Sequence, residues 1–173
     1  MWADSMHVSM TVPTDDLVGA RSIYRTLEGI GYDRAFSFEA KHDPFIPLAV
    51  AAEHTSRIQL GTAVAIAFAR TPMTLANLGW DLQTVTGGRF TLGLGSQIRP
   101  HIEQRFSMPW SRPAARMREM VLAIHAIWDT WSDGPATRLR RRVLHHTRMA
   151  PAFDPGRTPT GVPGSWWAAS VRR

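Results

Sequence analysis

RIQLGTAVAIAFARTPMTLANLGWDLQTVTGGRFTLGLG, residues 57–95, is the stretch that decides the fold. Two apolar segments rich in β-branched residues, 58–65 and 89–94, flank a helical segment between Thr71 and Gly87. Strand, glycine turn, helix, Gly-Gly stop and strand make a βαβ unit. Its near-continuous apolar strands read as buried on both faces of a parallel sheet. Ligands in such folds sit beyond the carboxyl ends of the strands. Here those ends are Gly61-Thr62-Ala63-Val64 and Gly93-Leu94-Gly95-Ser96-Gln97.

The same alternation extends both ways. Upstream, a strand over 6–12 closes at Pro13. Thr14 then offers an N-cap, with Asp15 and Asp16 in the first turn, where the helix dipole favours negative charge. That helix runs to about Glu28, with Leu17, Ala20, Ile23, Tyr24 and Leu27 on one face, and Gly29 and Gly31 stop it. A strand over 33–38 follows. Asp43 and Pro44 open a second helix whose Ile46, Leu48, Ala51 and Ala52 point inward and which ends near Ser56. Downstream, a Pro- and Arg-rich loop leads to Ser111. A long helix over 113–131 then carries Met117, Met120, Val121, Ile124, Ile127, Trp128 and Trp131 at 3–4 spacing. Strict β-α alternation predicts an α/β fold with a parallel sheet and right-handed crossovers. Residues 1–133 form these β/α units. Residues 134–173 are rich in Arg, Pro and Gly and end in a fifth strand candidate over 166–171.

Charge supports that division. Residues 1–133 hold twelve Lys/Arg against thirteen Asp/Glu, whereas 134–173 hold eight Arg and one acid, Asp154. The net charge of +6 therefore belongs to the last forty residues, and the body of the chain is close to neutral. A polyanion-binding surface spread over the fold is not supported, and the run Arg138–Arg142 reads as a solvated face rather than a nucleic-acid contact. No apolar run reaches the roughly 18 residues of a membrane span, and the first ten residues lack a signal-peptide pattern. The chain has no cysteine, which excludes disulfides and fits a cytoplasmic protein. The seven histidines show no HxxxH or HxxE spacing, so no metal site is expected.

Among motifs, a dinucleotide fingerprint fails because Gly93-Leu94-Gly95 is followed by Ser96, Gln97 and Ile98 rather than a third glycine. Ser96 and Gln97 are instead polar groups placed to hydrogen-bond a planar heterocycle, although a plain polar turn reads the same way. Glu39 closes the second strand and His42 follows three residues later. Both are candidates for acid–base chemistry, set against an exposed loop acid and a histidine merely preceding a helix cap.

These residues carry a resemblance. Residues 39–110, and within them TSRIQLGTAV, the R-x-P-x-x-L-A of Arg70–Ala76 and GGRFTLGLG, followed by PAARMREMVLAIHAIW at 113–128, are similar in order and spacing to the N-terminal part of the luciferase-like (bacterial luciferase superfamily) oxidoreductases. The likeness is to the deazaflavin-dependent branch that uses coenzyme F420. It implies a TIM-type (β/α)8 barrel, here a partial one of about four to five β/α units, with cofactor at the carboxyl ends of the strands. By position, Ala63 and Val64 fall where members have a non-prolyl cis peptide behind the deazaflavin ring. Gly95, Ser96 and Gln97 match the cofactor-contacting turn, and Glu39 matches an acidic position whose usual His neighbour is Ala40 here. Ile98 stands where some members carry a catalytic Glu.

The resemblance implies hydride transfer between F420 and a small organic substrate, with proton transfer assigned to Glu39 or His42. FMN in a monooxygenase of the same superfamily is the alternative. The length suggests a truncated, non-catalytic product as a further reading, because the late-strand phosphate loops of such barrels are missing. Exposed sheet edges would then favour a homo-oligomer.

Overall fold

The computed structural model describes residues 7–13, 15–133, 139–140, 145–146 and 151–167. The elements in chain order are β1 (Ser9–Val12), α1 (Ala20–Gly29), β2 (Arg34–Ser37), α2 (Phe45–His54), β3 (Gln59–Thr62), β4 (Ala65–Ile66), α3 (Pro72–Val85), β5 (Phe90–Gly95), α4 (Pro113–Asp133), β6 (Leu139–Arg140), β7 (His145–His146) and β8 (Gly164–Trp167). A 3-10 turn at Ala67–Ala69 and a π-helical turn at His101–Arg105 interrupt the connections, and a second 3-10 turn lies at Pro151–Phe153.

Six strands form one parallel sheet. Across it the order is β1, β2, then β3 continued by β4, then β5 and β8. β5 is the hub, with β3 and β4 on one edge and β8 on the other. The register explains the two faces. Ala35, Leu60 and Phe90 stand side by side and are no more than 2% exposed, because helices cover that face. The next row, Thr11, Phe36, Gly61 and Thr91, belongs to the inner wall of a partial barrel. Phe36 and Thr91 are only half-buried there, and Trp166 meets Phe36 edge-on at 6.4 Å.

The α3–α4 seam closes the outer layer. Thr71 caps α3 by accepting from Thr74 N at 3.2 Å, ahead of Pro72 at the first helical position. Gly79 is needed where Trp128 crosses α3, since a Cβ there would lie 2.7 Å from the indole. The Trp128 indole N–H donates to Ala76 O at 2.9 Å. The whole α4 stripe predicted from the sequence is buried, with Val121 partly so. Residues 151–167 dock on the same seam: Trp80 Nε1 donates to Gly156 O at 3.2 Å, and His125 Nε2 lies 2.7 Å from Ser165 Oγ.

Four expectations differ in detail. Helix α1 starts at Ala20, not near Asp15, because Asp16 Oδ1 accepts from Gly19 N at 2.8 Å and Asp15 pairs with Lys41 at 3.0 Å; Thr14 lies outside the described residues. Ile46 faces outward, 52% exposed, as the inner face of α2 is set by Phe45, Leu48, Ala51 and Ala52. The third strand is broken into β3 and β4 around Ala63-Val64. The fifth strand begins two residues earlier than expected, at Gly164, and 168–171 fall outside the described residues. Of Arg138–Arg142, only Leu139 and Arg140 are described, in a two-stranded ladder with His145 and His146.

Candidate functional site at the carboxyl ends of the strands

The ladder between β3 and β5 stops at Gly61–Thr91. Beyond it the buried Thr62 side chain takes over: its hydroxyl donates to Gly93 O at 2.7 Å and accepts from Gly93 N at 2.8 Å. A β-branched polar residue thus replaces a backbone rung and lets the following residues leave the sheet. Ala63 and Val64 form that excursion, joined by a cis peptide bond, before β4 resumes pairing with Leu94 and Gly95. Both side chains are half-buried. Val64 sits directly over Gly95, where a Cβ would come within 2.5 Å of Val64 Cγ2. Glycine is required there by that close approach.

The excursion is tied from the β2 side. Ala63 N donates to Ser37 O at 2.7 Å, and Glu39 N donates to Val64 O at 3.1 Å. Glu39 Oε2 accepts from Ile66 N at 2.8 Å and from Arg70 Nη1 at 2.5 Å. Arg70 Nη1 also donates to Ile66 O at 3.1 Å, and Nη2 donates to Asp43 Oδ2 at 2.8 Å. The Glu39 and Arg70 side chains are 6% and 14% exposed. Burial works against the charge of Arg70, but hydrogen bonding and attraction from Glu39, then Asp43, outweigh it and hold the guanidinium above its ordinary pKa.

The structure therefore brings Glu39, Ala63, Val64 and Gly95 together, with Ser96 and Gln97 following directly from β5. Ser96 and Gln97 are half-buried; Ser96 Oγ donates to Gln97 O at 3.2 Å, and Gln97 takes a left-handed φ of 61° with its Oε1 accepting from Ile98 N at 3.0 Å. His42 lies in the same loop as Glu39 but is exposed. Among the described residues no group of three His, Asp or Glu side chains is arranged to hold a metal, and no helix is long and apolar enough to cross a membrane.

The apolar, half-buried Ala63-Val64 surface fits the face of a planar ring, and the polar Ser96 and Gln97 fit a ring edge. A cavity of about 790 Å³ lies elsewhere, at the amino ends of the strands, lined by Arg34, Phe36, Arg57, Thr91 and Trp166 among others. Sequence reasoning gave Arg70 no role and Asp43 only a cap. The signal was present: Arg70 is the one charged residue between Arg57 and Asp81, set beside an apolar run where a cation needs a buried partner.

The sequence profile of the luciferase-like monooxygenases matches residues 2–173. A Mycobacterium tuberculosis protein, Rv1360, is 56% identical over 143 residues, which is 83% of this chain and 42% of that protein. Rv3520c of the same organism, whose name places it provisionally among coenzyme F420-dependent oxidoreductases, is 35% identical over 133 residues, covering 74% of this chain and 38% of its own length. The oxygenating constituent of 3,6-diketocamphane monooxygenase from Pseudomonas putida, a type II Baeyer-Villiger monooxygenase solved with FMN, superposes with a TM-score of 0.75 at 15% identity, covering 94% of this chain and 51% of that one. That likeness shows the fold, a TIM-type barrel of which this chain is part. The chain spans about half or less of the length of these relatives. From the matched profile and the strand-end architecture together, the chain belongs to the luciferase-like monooxygenase family.

Proposed function

We propose that this chain supplies the ring-holding part of an oxidoreductase in which hydride passes between coenzyme F420 and a small organic substrate. The observation that carries this reading is the Ala63-Val64 shelf packed against Gly95, with Ser96 and Gln97 at its rim. The deazaflavin, when bound, supplies the ring carbon that gives or takes the hydride. Ala63 and Val64 offer an apolar backing to one ring face and exclude water from it. Ser96 and Gln97 offer hydrogen bonds that fix the ring in its plane. Of the two residues proposed for proton transfer, His42 is exposed and free to meet a substrate, whereas Glu39 Oε2 is engaged by Ile66 N and Arg70. The name of Rv3520c favours F420. A second reading, FMN on the same shelf, draws support from the FMN-bound Pseudomonas monooxygenase of matching fold.

Fluorescence titration of the chain with coenzyme F420 and, separately, with FMN tests the proposal. Micromolar binding of F420 and none of FMN is the expected result. Selective binding of FMN would move the protein to the second reading, and binding of neither would overturn both.

A further inference from the structure

Resting on that reading, we infer that Glu39 and Arg70 act as a positioning pair that holds the ring-facing shelf in shape. Glu39 grips the segment after β3 at two points, with its own N–H on Val64 O at 3.1 Å and Oε2 on Ile66 N at 2.8 Å. Arg70 grips the same residue from the other side, through Nη1 on Ile66 O at 3.1 Å. The N–H and C=O of Ile66 are thus both held by one ion pair, two residues beyond Val64. Asp43 on Nη2 and the ring of Phe45, 5.5 Å from the guanidinium carbon, anchor Arg70 to the start of α2. Asp43 itself accepts from Phe45 N at 2.8 Å. The loop after β2, the shelf and the approach to α3 become one unit, so the position of Val64 over Gly95 depends on the charge pair. A planar fork is needed: one ammonium cannot span Glu39, Ile66 O and Asp43 together.

Glu39→Gln keeps an acceptor for Ile66 N but loses the charge facing Arg70, and Arg70→Lys keeps the charge but loses the fork. In the chain without cofactor, hydrogen exchange should show the Ile66 amide opening about tenfold faster in each variant, while α4 amides remain at wild-type rates. The dissociation constant for whichever of F420 or FMN the wild type binds should rise about tenfold in each. The double variant should be within about twofold of the weaker single, because both act through the same contact. Lys41→Ala, which removes an exposed pair with Asp15 in the same loop, should change neither readout.

Exchange at Ile66 within about twofold of wild type in both variants would overturn the inference. So would an equal acceleration in α4, which marks a merely global loss of stability, or unchanged cofactor binding in variants whose Ile66 amide has loosened. A wild type that binds neither cofactor would end the ring-positioning role together with the proposed function, and the exchange data would still decide whether the pair clamps Ile66.

Discussion

The segment from Ser56 to Ile66, which carries β3 and β4, is held at both ends by a glutamate, and the two grips differ. At its start, Glu28 at the end of α1 collects three consecutive backbone N–H groups: Ser56 at 3.0 Å, Arg57 at 2.7 Å and Ile58 at 2.9 Å. Arg89 collects carbonyls nearby, Thr55 O at 2.9 Å and Ile58 O at 2.8 Å. At its end, Glu39 collects one N–H and a buried guanidinium. The amino-end grip lies on the surface and fastens a helix to a strand beside an open cavity. The carboxyl-end grip is buried and fastens a backbone excursion that leads to the candidate site. Similar chemistry secures the fold at one end and shapes the proposed ring-facing surface at the other.

Breaking the buried grip should have the largest effect. Glu39→Ala leaves the Arg70 guanidinium with Asp43 as its remaining carboxylate, and such losses cost about 3 kcal/mol or more; urea unfolding measures it. Next comes overfilling the strand pair below the shelf. A Cβ at Gly93 would land on Thr62 O and against the Trp166 ring, so Gly93→Ala should cost about 2 kcal/mol in the same assay.

The exposed grip should matter less and should depend on pH. Burial tends to raise the pKa of Glu28, but the bonds from Ile58, Arg57 and Ser56 outweigh it and hold the carboxyl below its ordinary value of 4.5. A depressed folded-state pKa contributes stability above 4.5 that is lost as pH falls through the folded value. Glu28→Ala should therefore cost about 1–2 kcal/mol at pH 7, and the gap from wild type should close as the medium is acidified below 4.5. A gap that stays constant to pH 3 would contradict the assignment of that stability to the ionised carboxylate.

The smallest effect is expected at Tyr24 in α1, fully buried with a hydroxyl that has no hydrogen-bond partner among the described residues and a pKa pushed up by desolvation. Tyr24→Phe removes that unsatisfied group. It should be neutral or stabilising by up to about 1 kcal/mol, which thermal unfolding resolves.

The fold was legible in the sequence because burial on both faces writes long apolar strands and 3–4 stripes. The strand that ends at Gly95, the α4 stripe and the Thr71-Pro72 helix start stand where their patterns put them. What the patterns missed is set by single side-chain bonds. Asp16 on Gly19 N moved the start of α1, and Thr62 on Gly93 broke the third strand in two. For the candidate site, the resemblance pointed to Ala63-Val64 and the Gly95-Ser96-Gln97 turn, and the structure brings Val64 onto Gly95. The partnership of Glu39 with Arg70 joins residues 31 positions apart, which no local period encodes. The cavity at the amino ends was equally invisible, because it is lined by residues from several strands and loops.

The central claim is that ligand is taken at the carboxyl ends of the strands and not in the cavity at their amino ends. Backbone amide chemical shifts of the chain, recorded during titration with coenzyme F420, test it directly. Shifts confined to Ala63–Ile66 and Gly95–Gln97, with Arg34, Arg57 and Trp166 unmoved, are the predicted result. Shifts centred on Arg34, Arg57 and Trp166 would contradict the account.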